Sequence, residues 1–415
     1  MWFPLFVLFA VFALIVARRV GRLRVAIWQA MTAGAVLVLV SGSIAPAQAW
    51  AAIDWHVIAF LAGMFLLGQA LLDSGCLARV ADHLFMRART VGQLVGWVIA
   101  AVGLASAILM NDTLALVVTP LLIAIARRQG VPALPLLLTA AFAVTIGSTM
   151  SPIGNPQNLL IALRGGIEAP FVTFAYYLAL PTLVNLVLTY YVLRAFYPGL
   201  FARPLVVDIP EPDEDEALAA LAKWGLGLVV LIIAVKVLLV AMNNPLDIEL
   251  SAIAICGALP VVLFSKRRWE LVRKIDWRTL LFFISMFVLM ASVWQTGFFQ
   301  QQVVASGLPL ATLPSVMAVS ITLSQLISNV PLVALYMPML QSAGGGADLM
   351  MVLAAGSTIA GNLLILGAAS NVIIIQGAER YGETIGFWQF ARVGAPLTAV
   401  NVAVYLGYFW LVGSI

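Results

Sequence analysis

Asn111, Asp112 and Thr113 separate two apolar arms, Leu94 to Met110 and Leu114 to Ala126. The arms read as a helical hairpin, and Asp112 is the one acid that falls inside hydrocarbon in this segmentation. An ionised carboxylate in lipid is costly unless it is paired or protonated. The chemistry open to Asp112 is therefore reversible binding of a proton or a cation, with a helix-start cap at a wet tip as the structural alternative. A second polar stretch, Thr145 to Asn158 (TIGSTMSPIGNPQN), offers different chemistry. Two glycines (Gly147, Gly154), two prolines (Pro152, Pro156) and the side chains of Thr145, Ser148, Thr149, Ser151, Asn155 and Asn158 interrupt an apolar run. A helix broken in lipid exposes backbone groups costing several kcal/mol each, so the break must face protein or a watery cavity. Asn155 before Pro156 is a helix start, a capping side chain followed by the residue without a backbone donor. Ser370 and Asn371 can do the same after Gly367. Half-helix starts aim N–H groups and a positive dipole end at whatever lies between them, which favours an anion.

Other chemistries lack their residues. Cys76 and Cys256 lie far apart, without disulfide or metal-ligand spacing, and His56 and His83 fall at predicted interfaces. There is no nucleophile triad, phosphate loop or metal cluster, so no enzyme and no cofactor are expected. Lys236 is the one base well inside a span, close enough to the outer surface to snorkel.

The elements that carry these residues follow from composition. Of 415 residues 63% are hydrophobic and 10% charged, far from the roughly 45–50% and about 25% of soluble domains. The chain is expected to be an all-α polytopic membrane protein whose partner is the lipid bilayer. Its basic residues lie between apolar runs, where they set orientation, and nucleic acid is not expected as a partner. The first half has spans at about Trp2 to Ala17, Val25 to Gly42 and Trp55 to Leu72. An amphipathic surface helix within Asp73 to Gln93, the hairpin, the broken segment Pro135 to Leu163 and a span Phe171 to Arg194 come next. The second half has spans at Trp224 to Met242, Leu250 to Phe264 and Thr279 to Gln295. A surface segment Thr296 to Ser306 precedes arms Pro309 to Ile327 and Leu332 to Leu340 around Ser328, Asn329, Val330 and Pro331. Segments Leu349 to Gln376 and Phe387 to Val412 end the chain.

The halves repeat. Ile53, Asp54 and Trp55 recur as Ile275, Asp276 and Trp277, 222 residues on; Asn111 and Pro120 recur as Asn329 and Pro338, 218 on. Gly154 and Asn158 recur as Gly367 and Asn371 at 213, and Phe171, Phe174 and Asn185 as Phe387, Phe390 and Asn401 at 216. This predicts a first repeat over 1–197, a hydrated cytoplasmic linker over 198–221 with the acidic run Glu211 to Glu216, and a second repeat over 222–415. Five crossings and one hairpin per half give about ten spans and two re-entrant hairpins, and an odd number of crossings inverts the second half. With both termini outside, all of the 22 Lys and Arg except Arg164 and Lys236 fall at cytoplasmic ends, as the positive-inside rule requires. Parity is the same whether each hairpin re-enters halfway or crosses twice.

The tip NDT, the break GNPQN, the second tip SNVP and the segment GNLLILGAASNVIIIQGAER resemble the ion transporter superfamily over essentially the whole chain. That group includes arsenite permeases, NhaD-type antiporters, citrate transporters and divalent anion/sodium symporters, and GNPQN resembles in particular the YbiR-like anion permeases. The resemblance implies a scaffold and a moving transport subdomain, a bacterial inner-membrane location and a homodimer. It also implies that two hairpin tips and two unwound helices meet near the membrane centre to bind substrate and coupling ion. Carried over, the substrate positions are Asn111, Thr113, Ser148, Thr149, Ser151, Asn155, Asn158, Ser328, Asn329, Asn362, Ser370 and Asn371. The coupling ion, a proton or sodium, falls to Asp112 with Asn111, Gly154 and Asn155. The tips depart from the Ser-Asn-Thr motifs of the sodium symporters. Three functions compete: a secondary transporter of an inorganic oxyanion or carboxylate coupled through Asp112, arsenite or antimonite efflux, and sodium/proton antiport.

Overall fold

A computed structural model describes all of the chain except residues 1, 18, 21–22, 25, 86, 206–214, 243, 245, 247, 299–300, 302–311 and 414–415. The fold is helical. Helices α1 (Phe3–Ala17), α2 (Ile27–Val40), α3 (Pro46–Ala52) and α4 (Trp55–Asp73) precede an amphipathic α5 (Cys76–Phe85). Helices α6 (Val91–Ala105), α7 (Asn111–Arg128), α8 (Ala133–Ser148), α9 (Pro156–Arg164) and α10 (Pro170–Phe196) complete the earlier part. The later part holds α11 (Glu216–Ala241), α12 (Leu250–Phe264), α13 (Arg268–Lys274), α14 (Trp277–Trp294), α15 (Leu313–Ile327) and α16 (Asn329–Ser342). It ends with α17 (Ala347–Ile359), α18 (Ala369–Glu379) and α19 (Phe387–Leu411). Among the described residues, α4, α10, α11, α14 and α19 are long and apolar enough to cross a membrane, and α1, α2, α6, α8, α12 and α15 are shorter apolar helices.

Two helices form the centre. Every residue of α8 except its second, Leu134, and every residue of α17 from Leu349 onward is buried. Both run directly into a break. By contrast, 17% of the most apolar window of α11 is buried against 61% for α4, so α11 is an outer helix and α4 an inner one. Close packing depends on small residues: a Cβ on Gly147 of α8 would sit 2.0 Å from the Gly103 carbonyl oxygen, and one on Gly394 of α19 would sit 2.0 Å from that of Asn362. Without a hydrophobic drive between helices in lipid, such backbone approach supplies the contact area. The helices sort into two packing groups. In one, α1, α2, α4, α11, α12 and α14 pack on one another; in the other, α6 to α10 and α15 to α19 surround the two breaks. A π turn, Ala175–Ala179, widens α10 just before Pro181, which has no N–H for the preceding turn.

Several boundaries differ from the sequence reading. The first reversal lies before the NDT tip, at Ser106 to Met110, and Asn111 is the first residue of α7. The second is confined to Ser328, in the left-handed region at φ 72°, with Asn329 already helical. The linker ends early, because Asp215 accepts from the Leu218 N–H at 3.1 Å and starts α11 at Glu216. Residues 211–214 of the acidic run, and most of the surface segment after Thr296, lie outside the described residues. Lys236 does not reach for solvent: it is buried, and its Nζ donates to the Ile248 carbonyl at 2.7 Å.

At one end of the first packing group, Arg267 bonds to Asp73, Asp215 and Glu270, and Lys274 to Asp73 (2.6 Å) and Glu270 (2.7 Å). Hydrogen bonds from Arg267 and then Lys274 lower the Glu270 carboxyl from 4.5 to about 2. A depressed carboxyl stabilises the fold above its ordinary value and loses that contribution as pH falls toward the folded value. Glu270→Gln is therefore expected to lower Tm slightly at pH 7, and the difference from wild type should close between pH 4.5 and about 2 and shrink with added salt. Scanning calorimetry in detergent over that range checks it.

Candidate functional site

Four irregular points converge. A cavity of about 690 Å³ is lined by Asp112 at the start of α7, Pro156 at the start of α9, Ser328 and Val330 at the second reversal, and Ala369 at the start of α18. The remaining wall comes from Ala26, Ile27 and Trp28 at the start of α2, from Asp276, Arg278, Thr279, Phe282 and Phe283 around the start of α14, and from Val372, Ile373 and Gln376 of α18. Asp276 caps α14, accepting from the Thr279 N–H (3.1 Å) and hydroxyl (2.5 Å). The cavity is thus lined by the starts of α7, α9 and α18 and by the second reversal, and by the charged side chains of Asp276 and Arg278.

The polar residues of the first break are mostly occupied with the break itself. The Asn158 amide donates to the carbonyls of Ser148 (3.1 Å), Thr149 (3.2 Å) and Ser151 (3.0 Å). Asn155 accepts from the Asn158 N–H at 2.9 Å, the cap expected from NP, and its own amide donates to Ser148 Oγ at 3.0 Å. Ser148 Oγ donates to the Thr145 carbonyl (2.9 Å), and Ser151 Oγ accepts from the Ile153 N–H (3.3 Å). The Gly154 carbonyl accepts from the Asn111 N–H at 3.0 Å, so the first reversal docks on the first break. Thr113 packs where a Cβ on Gly68 of α4 would meet its hydroxyl at 2.7 Å. These bonds answer the requirement that freed backbone groups in lipid find partners.

The second break, two short 3₁₀ turns at Ala360–Asn362 and Ile365–Gly367, uses the same device. The Asn371 amide donates to the Gly361 carbonyl at 2.6 Å. Asn371 therefore reaches back ten residues, as Asn158 does to Ser148, and does not cap its own helix, whose start at Ala368 has no side-chain cap. Donors and acceptors of the two bonds are both 213 residues apart. Thr358 and Thr145, also 213 apart, each visit the other break. Thr358 Oγ1 lies 3.3 Å from Asn155 Nδ2, Gln157 Nε2 and Asn158 Oδ1, while the Thr145 methyl lies 3.2 Å from a Cβ built on Gly361. Asn362 donates to Asn401 (3.1 Å), which donates to Asn185 (2.9 Å).

The set of groups open to a ligand is narrower than the sequence suggests. Among the described residues, Asn111 Oδ1, Asp112 Oδ1, Asn329 Oδ1, Asn362 Oδ1, Ser370 Oγ and Asn371 Oδ1 are buried without a hydrogen-bond partner. Buried polar atoms are seldom left so, and those of Asn111, Asp112, Asn329, Ser370 and Asn371 stand within one position of cavity-lining residues. Ser148, Asn155 and Asn158 instead brace the walls. Sequence reasoning misses Thr358, Gln157 and the α14 wall. The repeat of Asp54 in Asp276 points toward that wall, but the sequence marks Arg278 only as an orientation charge.

Comparisons with known proteins agree with a transport fold. The chain is 32% identical over 425 residues to the uncharacterized transporter Rv2684 of Mycobacterium tuberculosis, covering 97% of this chain and 96% of the other. It is 29% identical over 371 residues to the inner membrane protein YbiR of Escherichia coli, covering 88% and 90%. The crystal structure of the YdaH transporter of Alcanivorax borkumensis superposes with a TM-score of 0.59 at 18% identity, over 99% of this chain and 97% of that one. A model of the citrate transporter family, CitMHS, matches residues 9–356. A helical chain with membrane-length apolar helices, broken at two related points around one cavity, thus belongs to the citrate transporter family of membrane transporters.

Proposed function

We propose that the protein is a secondary transporter of a small anion, an oxyanion or carboxylate, coupled to protons or cations through Asp112. One observation carries this reading: Asp112, Pro156, Ser328 and Ala369, one from each irregular element, line a single cavity. The starts of α9 and α18 present helix N-termini to it, which suits an anion, and the family takes its name from one. The N–H groups, hydroxyls and amides of the four elements carry no fixed positive charge; Arg278 on the α14 wall supplies one at the cavity lining, and the coupling ion adds a second. The bonds shared by Asn158 and Asn371, and the reciprocal placement of Thr145 and Thr358, support two inverted repeats with a re-entrant hairpin in each. The two packing groups then serve as scaffold and transport subdomain in an elevator-type cycle, a rigid shift of the second against the first. With the basic ends of the helices in the cytoplasm, the Asp112 cavity opens inward, both termini lie outside, and the location is a bacterial inner membrane. A homodimer completes the assembly.

The test is uptake into proteoliposomes from a panel of citrate, succinate, phosphate, sulfate and arsenite, under imposed pH or sodium gradients. Accumulation of a citrate-like or oxyanion substrate driven by one gradient is the expected result. Thermal stabilisation by sodium with no response to any anion would replace this reading with sodium/proton antiport, and arsenite transport alone would replace it with arsenite efflux.

A further inference from the structure

Arg164 is the last residue of α9, the helix whose first residue lines the Asp112 cavity. At that far end a second cavity of about 490 Å³ is lined by Arg164, Phe287, Trp294, Leu335 and Gln341 among others. The two cavities therefore occupy opposite ends of the same three helices. Helix α9 places Pro156 at the first cavity and Arg164 at the second, α14 places Thr279 and Trp294, and α16 places Val330 and Gln341. Alternating access requires such a pair of cavities to open in turn, and something must hold each one shut.

Arg164 is held on every side. Its Nε donates to Asp54 Oδ2 at 2.6 Å, its Nη2 to the Ala52 carbonyl at 3.3 Å, and its guanidinium carbon lies 4.7 Å from the centre of the Phe287 ring. Its own carbonyl accepts from Gln341 Nε2 at 2.7 Å. Asp54 is fixed by a second task, since its Oδ1 accepts from the His56 (3.0 Å) and Val57 (3.2 Å) N–H groups at the start of α4. Asp54 and Phe287 belong to helices of the first packing group, α4 and α14; Arg164 and Gln341 end α9 and α16, which pack on each other and on α17 in the second. The contact joins the two bodies that must move apart. A charge-assisted bond with a stacked guanidinium is directional, and at 39% side-chain exposure for Arg164 water can replace it.

We propose that the Arg164–Asp54 pair, backed by Phe287, is the gate at this end of the transport path, closing it while the Asp112 cavity is open. The proposal rests on the transporter reading above. It is tested by cysteine accessibility, which needs no substrate. In a Cys76→Ala/Cys256→Ala background, Leu335→Cys reports on the Arg164 cavity and Ile373→Cys on the Asp112 cavity. A membrane-impermeant maleimide is applied from each side of the membrane. Arg164→Ala and Asp54→Asn, the latter keeping the helix cap, are expected to speed Leu335→Cys labelling about fivefold and to slow Ile373→Cys labelling, as a shifted two-state equilibrium requires. Arg164→Lys and Phe287→Leu should fall between these variants and wild type. Unchanged labelling of Leu335→Cys in folded Arg164→Ala and Phe287→Leu proteins would overturn the gate and leave the transporter reading standing. Labelling that rises at both cysteines together would overturn the gate and alternating access with it.

Discussion

Asp112→Asn is expected to cut gradient-driven uptake into proteoliposomes by about tenfold or more while leaving the protein at least as stable as wild type. The two halves of this result have one cause. Asp112 lines the cavity and its Oδ1 is buried without a partner among the described residues. It is the second residue of α7, where the helix start favours a negative charge. An amide of the same size keeps the packing and the hydrogen-bonding capacity but cannot take up or release a proton, and it binds a cation weakly. It also costs less to bury than a carboxylate, so Tm should stay level or rise. Uptake is measured with and without a pH or sodium gradient, and Tm in detergent. A variant whose uptake still follows the gradient would remove Asp112 from coupling, and one that simply unfolds would make it a structural residue.

Asn158→Ala is expected to destabilise the protein by about 2–5 kcal/mol, the largest stability effect at the site. One side-chain amide serves three carbonyls, those of Ser148, Thr149 and Ser151, and no water in lipid replaces it. Asn371→Ala removes the corresponding bond to Gly361 alone and should cost about 1–2 kcal/mol. Asn158→Asp, which sets an acceptor against three acceptors, should be at least as damaging as alanine. Denaturation in detergent gives the order directly. If Asn371→Ala proved the more costly, the first break would owe its shape to packing and not to this amide.

Much of this arrangement is legible in the chain. The break after Ser148 and the restart at Pro156 are readable because proline lacks an N–H and asparagine caps the helix that comes after it, and both effects act over a few residues. The reversals are harder. Asn111 looks like a loop residue, yet it is helical because its N–H is accepted by the Gly154 carbonyl, a partner 43 residues away in sequence. Asn371 departs from expectation for a similar reason: its type and position suit a cap for the next helix, but the unpaired carbonyl of Gly361 captures its amide first.

The sequence by itself determined the membrane class, the two breaks and their correspondence, because composition and backbone chemistry are local and survive without knowing any neighbour. Only the tertiary structure decided which polar residues face the cavity and which are consumed in holding it open. Asn155, Gln157 and Asn158 are committed to Thr358, 200 or more residues away, whereas Asp112 and Ser328 line the cavity. In a medium without water every buried donor and acceptor must find a partner through space, and that pairing is a property of the fold.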